Sequence, residues 1–428
     1  MNARPMPESI DILPTPPPAL MRLRSFVFYW CARTSTNGAY QMQTVAVGWQ
    51  IYELTNNPFD LGLVGLVQFV PIVLLSLVIG QVADRYDRRE VVRICQIAKT
   101  LAAAALAIGT LGGWLNRDAI LAILFVTGVA RAFDTPTMHT LVPGLVPPQL
   151  LPRAIAASAS ATQTAVICGP ALSGAVYYFL GPVAVYSLCA ATFLATGVLV
   201  GLLQLTLKPS ARMPVTLQTL FAGFGYVRGR PILLGALMLD LLVVLLGSLT
   251  ALLPIFARDV LQSGESGPLV LGMLRSAPAI GALTMSIALA RFSLDRQVGQ
   301  ILFASVVAYG LAVVIFALSS SLLLSLAVLT IYGAADAISV VIRQSLVQMQ
   351  TPNEMLGRVM AINSMFTGTS GTLGEFRAGA VAASFDGVAS ALIGGVGALA
   401  VALFWMRLFP ELYRVDTVAQ KLTERAGR

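Results

Sequence analysis

Apolar runs long enough to cross a bilayer recur along almost the whole 428-residue chain, separated by short polar breaks. A spanning helix needs about 20 such residues at a rise of about 1.5 Å each. Twelve segments meet that length: 25–54, 60–83, 91–111, 118–139, 153–179 and 182–207, then 231–257, 268–290, 298–318, 322–343, 358–384 and 387–409. Only 11% of the residues are charged and the mean hydropathy is +0.79. Soluble domains carry about 25% charged residues, so most of this surface must face lipid. The expected fold class is an all-α membrane protein with twelve transmembrane helices.

The longest polar break, 208–230, divides the twelve segments six and six. The expected organisation is a cytosolic N-terminal tail over 1–24, a six-helix half over 25–207, a cytoplasmic linker over 208–230, a second six-helix half over 231–409 and a cytosolic C-terminal tail over 410–428. The start of the chain is Pro-rich and has no apolar run, so it does not read as a secretory signal. Lys and Arg set the orientation. With the N-terminus in the cytoplasm, external loops hold only Arg117 and Arg258. Arg33, Lys99, Arg275 and Arg377 fall within spans, and the other 22 of 28 lie in tails, cytoplasmic loops and adjoining helix ends. That asymmetry puts both termini inside. The net charge of +8 therefore reads as a topology signal and not as a nucleic-acid surface.

Compared with itself at an offset of 205, the chain aligns Gly128 with Gly333, Arg153 with Arg358, Gly169 with Gly374 and Gly174 with Gly379, without a gap. Arg131 falls on Asp336, so related places carry opposite charges. The expected architecture is two pseudo-symmetric halves in parallel repeat.

The most charged short loop is 80–90, where Asp84, Arg85, Asp87, Arg88, Arg89 and Glu90 follow Gly80 within a few residues. A carboxylate beside a helix N-terminus and an Arg gains charge-assisted hydrogen bonds, and the Arg residues of such a loop serve as a topological anchor. It resembles the loop between the second and third helices of the major facilitator superfamily, G-x-x-x-D-R-x-G-R-R/K. Gly80, Asp84, Arg85, Arg88 and Arg89 match, and Asp87 stands in place of Gly. The resemblance implies a cytoplasmic latch, here closing on the second half near Arg358. Gly169, Pro170 and Gly174 in the fifth segment resemble the G-P-x-x-G-G element of drug/proton antiporters of that superfamily, with Ser173 replacing one Gly. The resemblance implies export by antiport; ordinary small-residue packing is the other reading. The junction 348–358 and the run 83–86 are similar to the transmembrane secretion effector subgroup, which includes the enterobactin exporter, and the likeness extends over nearly the whole chain.

Polar residues inside the apolar segments are the candidates for function, because a charge at mid-membrane costs about 2.5–3.5 kcal/mol on insertion scales. Arg33, Asn37 and Gln41 give the first segment a face too polar for lipid, expected to line a central cavity. Asp240, near the middle of the seventh segment, is the first-choice proton-binding carboxylate, with a structural ion pair to Arg33 or Arg275 as the other reading. Glu375 is the second choice. Arg377 either faces the cavity or snorkels, and its two-residue spacing from Glu375 sends the two side chains to different sides of the helix. His139, the only His, reads as an interface residue. Cys31, Cys95, Cys168 and Cys189 show no metal-binding or disulfide spacing. No nucleotide-binding, zinc-hydrolase or serine-hydrolase motif is present in the sequence.

The function expected is a proton-driven exporter of a small siderophore- or drug-like molecule in a bacterial inner membrane. It is expected to work as a monomer, with the proton gradient as its energy source and no cofactor, metal or nucleic-acid partner. A proton symporter for nutrient uptake and a non-transporting membrane sensor or assembly factor are the alternatives.

Overall fold

The computed structural model describes residues 20–203, 224–292 and 296–416; the side chains of 76–81, 83–85 and 353 lie outside the description. The described chain is built from helices. α1 is Arg24–Thr55, α2 Pro58–Arg85, α3 Arg88–Leu111 and α4 Arg117–Leu141. Leu151–Gly201 is helical except at Gly181, whose φ of 79° suits glycine and which Pro182 follows. Its two arms are α5 (151–180) and α6 (182–201). α7 is Pro231–Gly247, α8 Gly267–Arg291, α9 Val298–Leu318, α10 Leu322–Gln350, α11 Asn353–Ser384 and α12 Gly387–Leu408.

Short polar caps start several helices. Asn57 accepts from the Phe59 N–H (3.0 Å), Asp87 from Arg89 (2.9 Å), Asn116 from Ala119 (2.9 Å) and Asp386 from Ala389 (2.5 Å). Each supplies an acceptor to a first-turn N–H that has no partner within its own helix. The cap explains Asp87: Asp and Gly both serve at an N-cap, so Asp replaces Gly in the loop without loss of its turn.

Two boundaries differ from the sequence expectation. The tenth segment was expected to end at Arg343 and the eleventh to begin at Arg358. α10 instead continues to Gln350, and α11 begins at Asn353. Arg343 is no surface marker, because it is buried in an ion pair with Asp240 of α7. The seventh segment was expected as one run, 231–257. α7 stops at Gly247, Ser248 is extended (ψ 125°), and the chain resumes as a short turn, Leu253–Ile255, followed by a π-helical turn, Phe256–Val260. Most of the expected linker, 208–223, lies outside the described residues. At its end, the Tyr226 hydroxyl and Arg230 Nη1 donate to the Gln350 carbonyl at 3.4 and 3.1 Å, fastening the start of α7 to the end of α10.

Among the described residues, eight stretches are long and apolar enough to cross a membrane by length and composition, Pro148–Gly201 counting as one. α1 and α11 fall outside that set because their polar faces lower their hydropathy, and α7 because it is short. Leu101, Leu111 and Leu323 stand exposed on the outside, an apolar surface suited to lipid.

Packing groups the helices. α1 lies on α5, α2 on α4, and α3 on α4 and α6; later in the chain, α8 lies on α10, α9 on α10 and α12, and α7 on α11 and α12. The main joints between the leading helices (α1–α6) and the trailing helices (α7–α12) are α5 with α8 and α2 with α11.

Glycines 205 residues apart do equivalent work at these joints. A Cβ at Gly128 would sit 2.7 Å from the Gln68 carbonyl oxygen, and one at Gly333 would sit 2.6 Å from Pro278 Cα, so in both cases the fourth helix of a group (α4 or α10) closes on the second helix of the same group (α2 or α8). Gly169 meets Gln41 of α1, and Gly374 meets Val244 and Ser248 at the end of α7. Gly174 and Gly379 face the other group: Gly174 meets Pro268 and Gly272 of α8, and Gly379 meets Pro58 and Gly62 of α2.

Candidate functional site: a charged central cavity closed at one end

A cavity of about 610 Å³ lies at mid-depth, with walls drawn from both groups of helices. α1 contributes Asn37, Tyr40, Gln41 and Thr44, whose spacing of three to four residues places them on one helix face. Gln68 of α2 and Arg131 of α4 complete the leading side. The trailing side brings Arg275 from α8, Tyr332 and Asp336 from α10, Glu375 from α11 and Thr250 from the break after α7.

The leading wall is a fixed network. Arg131 Nη1 donates to the Tyr40 hydroxyl (2.5 Å) and its guanidinium lies 3.9 Å from the centre of that ring. Tyr40 in turn donates to Gln68 Oε1 (3.2 Å), and Gln68 Nε2 to the Val64 carbonyl (3.1 Å). Cation–π contact and charge-assisted bonding thus hold Arg131 on the wall, and among the described residues it forms no ion pair. Behind this wall Lys99 and Asp134 form a fully buried ion pair between α3 and α4. Gln96 also donates to Asp134 (3.1 Å).

The end of the bundle where α1 meets α2 is closed by contacts between the two groups. Gly174 and Gly272 let α5 and α8 cross with backbones in contact, and Ser276 Oγ donates to the Ile167 carbonyl at 2.8 Å. Gly62 and Gly379 do the same for α2 and α11, where Phe59 and Phe376 meet edge to face. The Tyr52 hydroxyl donates to Asp259 at 2.5 Å, and Arg258 donates to the Tyr52 carbonyl at 3.3 Å.

Of the six residues expected in the cavity, Asn37, Gln41 and Glu375 line it, and Arg33, Asp240 and Arg377 lie elsewhere. Arg33 is one turn too early on α1. It bonds to the Tyr29 hydroxyl (3.0 Å) and Thr162 (3.3 Å) and lies against the His139 ring. Asp240 is not a lone carboxylate: Arg343 pairs with it, Thr367 donates to it at 3.2 Å, and neither Arg33 nor Arg275 is its partner. Arg377 neither snorkels nor faces the cavity. Its Nε and Nη2 donate to the carbonyls of Leu245 (3.0 Å) and Leu246 (2.6 Å), which the break after α7 leaves without helical partners. A cation is well suited to a helix C-terminus.

The antiporter-like element falls at a joint. Pro170 lines the cavity, Gly169 seats α5 on α1, and Gly174 seats α5 on α8. Of the expected latch, the side chains of Gly80, Asp84 and Arg85 lie outside the described residues. Arg88 donates to the Thr140 carbonyl (3.3 Å), and Arg89 pairs with Asp87 (2.8 Å) and bonds to the Leu203 carbonyl (3.0 Å). The Arg89 contact holds the Asp87 carboxyl below the ordinary carboxylate range. Arg358 stands exposed, with its Nη1 3.5 Å from Met355 Sδ. Arg131, Asp336 and Arg275 were not expected in the cavity. The offset of 205 that superposes Arg131 on Asp336 was the signal for two of them, since both face the same space without pairing.

The profile of the transmembrane secretion effector family matches residues 15–425. The enterobactin exporter EntS of Citrobacter koseri is 28% identical over 383 residues, covering 86% of this chain and 88% of that protein. EntS of Escherichia coli O157:H7 (strain EC4115 / EHEC) is 26% identical over 396 residues, covering 90% and 91%. Among solved structures, a mutant form of the nucleoside transporter NupG superposes with a TM-score of 0.72 at 14% identity over 90% of this chain and 100% of that one. A bacterial homologue of the lysosomal transporter Spinster, inward-facing and unoccupied, gives 0.68 at 14% identity over 91% and 95%. A bacterial homologue of the iron transporter ferroportin, also inward-facing, gives 0.67 at 18% identity over 92% and 100%. The chain is therefore a multi-pass membrane transporter with the major facilitator fold, not an enzyme, and it belongs to the transmembrane secretion effector family.

Proposed function

We propose that the protein is a proton-driven exporter working by alternating access in a bacterial inner membrane. Twelve spans in two halves rock about the central cavity, and both termini are cytoplasmic. The observation that carries this reading is the cavity itself: it brings charged and polar side chains of both helix groups, Arg131, Arg275, Asp336 and Glu375 among them, into one space, and it is sealed at the end assigned to the outside. This is the state in which cargo loads from the cytoplasm. The equivalent roles of glycines 205 residues apart support the two-half division.

Glu375 is the proton carrier in this reading, replacing Asp240, whose charge Arg343 already neutralises. Cargo that donates hydrogen bonds to the ionised Glu375 competes with the proton for it. That competition is what antiport requires, because a proton and cargo bound together would move the same way. The names of the relatives favour a siderophore-like cargo, so enterobactin is the first probe. In everted membrane vesicles, an acid interior should drive enterobactin uptake by the wild type and not by Glu375→Gln. Uptake driven instead by an acid exterior would support the symporter.

A further inference from the structure

We propose that Glu375 is also the moving part of the outer gate, received by a slot that the missing side chain of Gly65 leaves in α2. A Cβ at Gly65 would lie 2.7 Å from Glu375 Oε2, and one at Gly62, a turn earlier, would lie 3.0 Å from the Phe376 carbonyl oxygen. The carboxyl group thus enters the one joint where α11 of the trailing group meets α2 of the leading group, while still lining the cavity. Among the described residues it forms no ion pair.

The charged and titratable groups that face it are Arg275 on α8, Arg131 on α4 and Tyr332 on α10, with the Thr250 hydroxyl beside it. Arg275 and Tyr332 belong to the same group of helices as Glu375 and move with it. Arg131 belongs with Gly65 and departs when the gate opens. Pressing an ionised carboxylate against backbone carbon is costly, whereas the neutral acid is tolerated there. Arg131 favours the ionised form while the gate is closed, but enclosure of the carboxyl group in the joint is the larger effect, so the closed gate selects neutral Glu375 and loss of its proton to the cavity drives α2 and α11 apart. The proton bound from the outer solution closes the gate; the same proton, released inward, allows it to reopen. This deepens the reading of Glu375 as proton carrier, and it needs neither the cargo nor the direction of net transport.

The test is a distance between spin labels at Leu54 and Phe385, both exposed near the outer ends of α1 and α11, measured across pH in the full-length protein in liposomes without cargo. In the wild type the open-to-closed ratio should rise with pH by up to about tenfold per unit, the limit for one proton. Glu375→Gln should stay closed at every pH. Gly65→Ala fills the slot and should stay open at every pH, so the proposal remains exposed to refutation if the Gln variant fails to fold. A wild-type distance unchanged by pH, or a Gln variant that keeps the wild-type response, overturns the gate. Absence of gradient-driven vesicle uptake with a normal pH response of this distance would instead reject only the transport reading.

Discussion

Gly174→Ala separates a contact between the two helix groups from one inside a group. The added Cβ would lie 2.5 Å from the Pro268 carbonyl oxygen and 3.1 Å from Gly272 Cα. Ordinary carbon–oxygen contacts begin near about 3.3 Å, so α5 and α8 must part by roughly 0.8 Å. Over-packing of this kind costs about 1–3 kcal/mol. The cost falls only on the state in which the two helices touch. The equilibrium should then move towards the outward-open state by about 5- to 150-fold. Gly169→Ala is the control: its Cβ meets Gln41 Cβ at 2.7 Å, an equally tight contact, but with α1 of the same group. It should lower stability without changing the ratio of states. Gly368→Ala, with nothing within 4 Å, should do neither. Labels at Phe179 and Glu265, both exposed near the closed end, report the opening in a background freed of the four native cysteines. If Gly169→Ala shifts the distance as far as Gly174→Ala does, the groups do not move as bodies and the reasoning fails.

Other consequences follow from the buried charges and caps. Asp240→Asn leaves Arg343 buried without its counter-ion and should cost about 3–5 kcal/mol, whereas Asp240→Asn combined with Arg343→Met should recover most of that loss in thermal unfolding. Tyr52→Phe removes the bond to Asp259 across the closed end and should favour outward opening by about 1 kcal/mol, read from the same labels. Asp87→Ala removes the cap of α3 and should cost about 0.5–2 kcal/mol, while Asp87→Gly should cost only a few tenths. Because Arg89 holds the Asp87 carboxyl below its ordinary range, the contribution of that carboxylate is complete at neutral pH. It is lost only as acid drives the pH down through that lowered value.

The long apolar helices were legible because lipid imposes a length on them; the Asn and Asp caps at several of their starts emerged only in the structure. The errors came where a charge has a partner far away in sequence. Arg343 looked like a helix end because a lone Arg in lipid is costly, and the sequence does not display Asp240, far earlier in the chain, as its partner. Asp240 looked like a free carboxylate for the same reason. Arg377 looked like a cavity or interface residue because the break after Gly247, whose carbonyls it holds, lies inside an unbroken apolar run. Asn37 and Gln41 were readable because polar residues crowd the first apolar segment more densely than lipid allows. Gly65 carried no signal of its own, since its meaning is the carboxyl that fills the space beside it.

The central claim is that Glu375 exchanges its proton against cargo. Adding enterobactin to purified protein in weakly buffered solution near neutral pH measures this directly. The wild type should release up to about one proton per cargo bound, as competition for a single group requires, and Glu375→Gln should bind without release. Cargo binding with no proton release in the wild type, or equal release from the Gln variant, would contradict the account.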